Sequence, residues 1–204
     1  MKTLMIGDTG EDVMMLQKLL GVHADGLFGK NTETALKMFQ AHNRLDVDGI
    51  AGPKTWAALL GGGLKKSSRK INEIIIHCTA TPEGKDVTVE AIRNYHMKQR
   101  GWSDIGYHYV IYRDGSVHNG RDVDKAGAHT TNHNQHSIGI AYVGGCKDNT
   151  NPPQPKDTRT PEQKQAIRTL VNKLKMLYPG ATVHGHNEYA NKACPCYDVR
   201  KENY

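Results

Sequence analysis

Apolar residues near the N-terminus recur at the three- and four-residue intervals that place side chains on one face of an α-helix. The recurring positions are Val13, Leu16, Leu19 and Leu20, then Ala35, Leu36 and Phe39, with Trp56 and Leu59 completing the set. This pattern predicts a small all-α domain of three helices at residues 1–61. Residues 62–70 combine glycine, serine and charged side chains without periodicity, which predicts a flexible linker.

The N-terminal segment also contains an internal repeat. Residues 25–32 (DGLFGKNT) are echoed by residues 48–55 (DGIAGPKT). In each copy the glycines predict a tight turn, and the residues after them predict the start of a helix. Pro53 suits the first turn of the second of these helices. Asp25 and Asp48 are expected to cap the turns.

From residue 71 onward the pattern alternates between strands and helices. Apolar runs predict strands at 71–78, 107–112, 117–119, 137–143 and 181–184, and helical signals cover 88–99 and 160–178. Gly101 follows the first of these helices as a stop signal, and Thr160 and Gln163 form a capping box at the start of the second. We therefore expect residues 71–204 to form an α/β domain with a mixed central β-sheet flanked by helices.

The composition is that of a globular protein, with 37% hydrophobic and 24% charged residues in a chain of 204. A net charge of +6 favours an anionic target. Nucleic acid is not expected, because the chain has neither basic runs interleaved with aromatic residues nor a helix-turn-helix or zinc-finger spacing. No apolar run approaches the roughly 18–20 residues of a membrane span, and the N-terminus turns polar before any signal-peptide core. We expect a monomer made in the cytoplasm.

Histidine and cysteine offer the clearest chemistry. His77 ends an apolar strand, His186 follows the last strand, and Cys194 lies in the loop after it. Two imidazoles and a thiolate suit a tetrahedral zinc ion, and three protein ligands leave a position open for a water whose pKa zinc lowers to roughly 7. Spacing alone leaves two alternatives open, which are a closed structural site that includes Cys196 and His184, and a loop that binds no metal.

Longer motifs in the second segment resemble a known family. Residues 101–115 (GWSDIGYHYVIYRDG), together with 76–81 (IHCTAT), 136–140 (HSIGI) and 192–195 (KACP), resemble the zinc amidases that include phage lysozymes of amidase type and peptidoglycan recognition proteins. The N-terminal repeat independently resembles the helical peptidoglycan-binding domain found beside many wall hydrolases. Both resemblances indicate one polymer, bacterial peptidoglycan, as the partner.

The resemblance also implies roles for individual residues. It assigns the zinc ligands to His77, His186 and Cys194, and it assigns catalytic assistance to Tyr107 and Lys192. A phenol and an ammonium beside a zinc-activated water can orient it and stabilise a developing oxyanion. Family members that lack the cysteine bind without hydrolysing, so Cys194 indicates an enzyme.

Other residues keep more than one interpretation. The resemblance places His129 in the substrate pocket. Glu188 is either a general base or a solvated loop carboxylate. His184 rivals His186 as a ligand, because strand alternation can place both side chains on one face. Cys78 is expected to be an ordinary buried thiol.

The expected reaction is hydrolysis of the amide between the lactyl group of N-acetylmuramic acid and L-alanine of the stem peptide. The lack of an export signal favours a phage lysin released through a holin pore. A bacterial enzyme that recycles wall fragments is less favoured, because free fragments need no wall-binding domain. The alternatives are a zinc peptidase acting within the stem peptide, a recognition protein without catalysis, and a regulator of another protein.

Overall fold

The structure, a computed structural model, describes residues 2–59, 64–150, 153–202 and 204. The chain divides into two compact units, one of Met1–Lys65 with Arg168–Met176 and one of Lys66–Ile167 with Leu177–Tyr204. The domain limits expected from the sequence, 1–61 and 71–204, stay predictions. Residues 62 and 63 of the expected linker lie outside the described residues.

The N-terminal unit contains the helices that the apolar spacing predicts. They are α1 (Glu11–Leu20), α2 (Lys30–His42) and α3 (Pro53–Leu59). Their apolar faces meet in one core that is almost inaccessible to solvent, formed by Leu4, Val13, Leu16, Leu19, Leu20, Phe28, Ala35, Leu36, Ala51, Trp56 and Leu59. The all-α prediction for this segment is confirmed.

Buried hydrogen bonds explain why the N-terminal sequence repeats. The side-chain nitrogen of Gln17 donates to Asp25 Oδ1 (2.7 Å), and its oxygen accepts from the backbone N–H of Gly26 (2.9 Å). Gln40 makes the same two bonds in the second copy. Gly26 has a left-handed φ of 75°, which favours glycine. The carboxylates of Asp25 and Asp48 each accept a backbone N–H within their turn, so the predicted caps are confirmed.

Replacing Gln17 with leucine is expected to lower the free energy of unfolding by about 1–3 kcal/mol, because the buried N–H of Gly26 loses its acceptor. Scanning calorimetry would measure the loss. The matched control is Gln99→Leu, which makes the same substitution at an exposed position. Equal destabilisation by the two variants would contradict the importance of the buried bonds.

The second unit is built around a mixed sheet. Its strands are β1 (Glu73–Cys78), β3 (Tyr109–Ile111), β4 (Val117–Asn119), β5 (Ser137–Tyr142) and β7 (Thr182–Gly185). Within the described residues these strands pair in the order β4-β3-β5-β1-β7. β3 and β4 are antiparallel, and the other neighbours are parallel. A short parallel pair, β2 (Thr81–Pro82) with β6 (Gly145–Cys146), was not predicted because two residues are too few to show a periodicity.

The predicted helix signals are also present. The helices are α4 (Val89–Arg100) and α5 (Pro161–Leu177). Gly101 ends α4 with a left-handed φ of 66°. Thr160 and Gln163 form both bonds of the capping box, at 3.0 and 3.1 Å. The α/β prediction is confirmed, and among the described residues no helix is long and apolar enough to cross a membrane.

The flexible linker predicted for residues 62–70 does not extend over its last positions. Ser67 is 6% exposed, its backbone N–H donates to the hydroxyl of Tyr178 (2.7 Å), and its Oγ donates to the carbonyl of Val123 (2.6 Å). The Nε of Arg69 donates to the same carbonyl (2.8 Å). These partners lie far along the chain, so local composition carries no sign of them.

Candidate metal centre

Three side chains from separate parts of the second unit converge at one edge of the sheet. His77 lies near the end of β1, His186 begins the 3₁₀ turn that follows β7, and Cys194 lies in the loop after that turn. Since β1 and β7 are parallel neighbours, their carboxyl ends lie at the same edge, where α/β sheets commonly bind ligands. The nitrogen and sulfur donors lie within 4.8 Å of one another, so the group could hold a metal ion.

The donor set and its spacing fit zinc. Cys194 Sγ lies 3.7 Å from His77 Nδ1. Zinc bond lengths at a tetrahedral angle place a sulfur and a nitrogen ligand about 3.6 Å apart. The backbone N–H of Cys78 donates to Cys194 Sγ (3.2 Å), which suits a sulfur that carries negative charge when it binds a metal. These residues could therefore receive zinc with little rearrangement.

Both imidazoles are held in the neutral form that a metal requires. Burial lowers the pKa of His77 well below its usual value, and repulsion from His129, His186 and Lys192 lowers it further. Burial lowers the pKa of His186 to about 4, with the Lys192 ammonium adding to the effect. Each ring therefore keeps a nitrogen lone pair available near neutral pH.

His129 is buried against His77, one of the three candidate metal ligands. It is 8% exposed, and its Nδ1 lies 3.1 Å from His77 Nε2 and 3.1 Å from Thr130 Oγ1. A Cβ added at Gly139 would lie 2.5 Å from His129 Cδ2, so glycine makes the room for this ring. The placement of His129 in the substrate pocket stays a prediction. What the structure shows is a buried ring whose contact with His77 can orient that residue.

Replacing His129 with alanine is expected to weaken zinc binding about 10–100-fold, because His77 loses the partner that orients its ring. Competition with a chromophoric chelator, below the unfolding temperature of the variant, would measure the affinity. His42→Ala in the N-terminal unit serves as the control and should bind zinc like the wild type. An unchanged affinity in the His129 variant would contradict the orienting role.

The residues expected to assist catalysis lie beside this group. The ring centroid of Tyr107 is 5.3 Å from that of His77. Burial, and then the nearby Cys194 thiol, raise the pKa of the Tyr107 phenol well above its usual value, so it keeps its proton. Lys192 is exposed, and its ammonium is close enough to lower the pKa of both His77 and His186.

His186, and not its rival His184, belongs with His77 and Cys194 to the group that could hold a metal ion. β7 ends at Gly185 and a 3₁₀ turn begins at His186. The alternation of the strand therefore stops before His186, and the side chains of His184 and His186 do not lie on one face of a strand. His184 Nδ1 instead lies 3.1 Å from Glu188 Oε2, while Glu188 Oε1 accepts from the backbone N–H of Gly185 (2.6 Å). Both oxygens of Glu188 thus contact the residues that come just before His186.

The cysteines Cys78, Cys146, Cys194 and Cys196 are all free thiols. Cys196 Sγ lies 3.7 Å from Cys78 Sγ and 3.1 Å from the carbonyl oxygen of Gly145. Cys196 and His184 are both absent from the metal-binding groups of the described residues. Among the described residues, the geometry therefore brings His77, and not Cys196 or His184, together with His186 and Cys194.

Comparison with known protein families agrees with this geometry. Residues 67–197 match the family described as N-acetylmuramoyl-L-alanine amidase. The chain belongs to the N-acetylmuramoyl-L-alanine amidase family. Residues 9–59 match a peptidoglycan binding domain, and residues 67–197 are referred to below as the amidase domain. Both resemblances noted in the sequence are confirmed.

Relatives of the amidase domain include phage endolysins. The chain is 42% identical over 133 residues to an endolysin of Klebsiella phage KP32, covering 65% of this chain and 85% of that one. It is 40% identical over 136 residues to an endolysin of Escherichia phage T7, covering 67% of this chain and 87% of that one. Among solved structures, the endolysin N-acetylmuramoyl-L-alanine amidase LysCS from Clostridium intestinale URNW matches with a TM-score of 0.53 at 30% identity, covering 62% and 76%.

The amidase domain contains a further buried histidine for which the sequence identifies no partner. His108 is inaccessible to solvent, its Nδ1 accepts from the backbone N–H of Gly139 (2.9 Å), and its Nε2 lies 3.0 Å from the carbonyl oxygen of Lys125. Burial lowers the pKa of His108 to about 4. Gly139 thus supports His108 through its backbone and makes room for His129, and no local pattern links these positions.

Proposed function

We propose that this protein is a zinc-dependent amidase that hydrolyses the bond between the lactyl group of N-acetylmuramic acid and L-alanine of the stem peptide. The observation that carries the proposal is the convergence of His77, His186 and Cys194 in a chain of this amidase family. The presence of Cys194 in that group favours an enzyme over a protein that only recognises peptidoglycan.

The ion would be held by His77 Nδ1, an imidazole nitrogen of His186 and Cys194 Sγ. Zinc with three protein ligands acts as a Lewis acid and makes an activated water available near neutral pH. His77 Nε2 then carries the ring proton and donates a hydrogen bond to His129 Nδ1, since a neutral imidazole has one donor and one acceptor nitrogen. His129 thereby keeps the His77 ring in one orientation.

The remaining residues act on the charge that forms during hydrolysis. When water attacks the carbon of the scissile carbonyl, the carbonyl oxygen becomes negatively charged. The O–H of Tyr107 donates a hydrogen bond to that oxygen, and the ammonium of Lys192 supplies positive charge. One such donor typically accounts for about 10²–10³ in rate. The C–N bond then breaks, and the amine of L-alanine leaves with the proton that the attacking water gives up.

We further propose that the N-terminal unit binds peptidoglycan and keeps the amidase domain at its polymeric substrate. The match of residues 9–59 to a peptidoglycan binding domain supports this role. The net charge of +6 also supports it, because the bacterial envelope is rich in phosphates and carboxylates. The relatives named endolysins support a role in host lysis, and we infer that a holin pore gives the protein access to the wall.

Digestion of purified peptidoglycan tests the class of enzyme. Amide hydrolysis frees amino groups and creates no reducing sugar ends. We expect amino groups to increase with time, and the increase to stop when a zinc chelator is added. New reducing ends without new amino groups would identify a glycosidase, and wall binding without either product would identify a recognition protein. Both of these outcomes would contradict the proposal.

A further inference from the structure

A second group of potential metal ligands lies at the opposite end of β1 from His77. Glu73 begins β1, and His133 and His136 lie in the segment that leads into β5. The two strands pair in parallel with Glu73 opposite Ser137, so this end of the sheet brings the three side chains together. One donor atom from each of Glu73, His133 and His136 lies within 4.8 Å of the others.

A single carboxylate oxygen faces both imidazoles. Glu73 Oε2 lies 2.9 Å from His133 Nδ1 and 3.1 Å from His136 Nε2. The other oxygen, Oε1, accepts a hydrogen bond from the hydroxyl of Tyr189 (2.9 Å). Tyr189 therefore fixes the carboxylate in the orientation that points Oε2 at the two rings, as outer partners of metal ligands commonly do.

The histidines are held in place as well as the carboxylate. The ring of His133 stacks on Tyr189, with centroids 3.9 Å apart and planes at 29°. The carbonyl of His133 accepts from Ser137 Oγ (2.7 Å), and the carbonyl of His136 accepts from the backbone N–H of Asn72 (3.0 Å). The ligands are thus arranged by packing and by strand hydrogen bonds before any ion arrives, which favours binding.

The chemistry of the group suits a divalent transition metal. Two imidazoles and a carboxylate are ligands that zinc, nickel and copper accept. Zinc bond lengths at a tetrahedral angle place such donors about 3.4 Å apart, a few tenths of an ångström more than the present hydrogen bonds. The side chains of Glu73, His133 and His136 are 15%, 25% and 35% exposed, so an ion can enter from solvent.

We propose that Glu73, His133 and His136 form a second site for a divalent transition-metal ion, separate from the centre of His77, His186 and Cys194. On binding, the ion replaces the imidazole protons that now face Glu73 Oε2. The ion at this second site takes no part in hydrolysis.

Counting bound zinc tests the proposal. The full chain is equilibrated with zinc buffered at micromolar free concentration, and bound metal is measured by atomic emission. We expect two ions per chain in the wild type and one in Glu73→Gln and in His136→Asn. Cys194→Ser should also keep one ion, and the double variant Cys194→Ser/His136→Asn should keep none. Amidase activity of Glu73→Gln and His136→Asn should equal that of the wild type, which also shows that they fold.

His184→Asn is the matched control, because His184 lies near Tyr189 and outside the proposed site (ring centroids 5.2 Å apart). It should keep two ions. One ion in the wild type would overturn the proposal, as would two in both single variants or the loss of an ion from His184→Asn. Histidine NMR of the wild type gives an answer that needs no variant, since added zinc should shift the ring signals of His133 and His136. Unmoved signals at two equivalents of zinc would also overturn it.

Discussion

Replacing Cys194 with serine is expected to reduce amidase activity more than about 100-fold and to empty the catalytic centre of zinc, because even the outer partners of a ligand contribute about 10–100-fold. Serine is close to cysteine in size, but its hydroxyl keeps its proton near neutral pH and is a poor zinc ligand. The backbone N–H of Cys78, which donates to Cys194 Sγ (3.2 Å), can still donate to the serine oxygen. The local fold should therefore persist while the ion is lost.

Bound zinc is best counted in the double variant Cys194→Ser/His136→Asn. In that variant an ion at the second proposed site cannot mask the loss from the first. The matched control is Cys146→Ser, which makes the same change at a buried cysteine outside both groups of potential ligands. It should keep its zinc and its activity. Full activity in Cys194→Ser with unchanged zinc would contradict the assignment of this ligand.

Replacing Tyr107 with phenylalanine is expected to lower kcat about 10²–10³-fold and to leave the zinc content unchanged. Phenylalanine keeps the ring that packs 5.3 Å from His77 and removes only the hydroxyl. KM should change much less than kcat, because the donor acts on an oxygen that becomes negative only as the transition state forms. Steady-state kinetics on a soluble muropeptide would separate the two constants.

Tyr95→Phe is the control for this variant. Tyr95 lies on α4 and is 53% exposed, so this substitution removes the same hydroxyl from a surface position. It should be as active as the wild type. A parallel loss of zinc and kcat in Tyr107→Phe would show that the phenol supports His77 and does not act on the substrate. An unchanged kcat would remove Tyr107 from the mechanism.

Much of the fold is predictable because its signals are local. The apolar run at 74–76 lies in the middle of β1, and all three of its residues are fully buried. The capping box of Thr160 and Gln163 marks the start of α5 within a few residues. The repeat in the N-terminal unit is visible because each turn needs the same aspartate and glycine, whereas the glutamines that complete each turn, Gln17 and Gln40, lie outside the repeated segments.

Residues that act through distant partners are not predictable in this way. His129 contacts His77, which lies 52 residues earlier in the chain, so its buried position beside a candidate ligand follows only from the folded chain. The same holds for Glu73, which lies next to His133 and His136 only because β1 and β5 pair in parallel. Spacing alone does not separate His186 from His184, because the 3₁₀ turn that ends the alternation of β7 is visible only in the folded chain.

The most direct test of the account is mass spectrometry of peptidoglycan digested by the wild-type protein, with and without a zinc chelator. We expect free stem peptides that begin at L-alanine, which disappear on chelation and return when zinc is restored. Peptides cut at another bond, with the lactyl amide intact, would identify a zinc peptidase. That result, or digestion that continues after the zinc has been removed, would contradict the account.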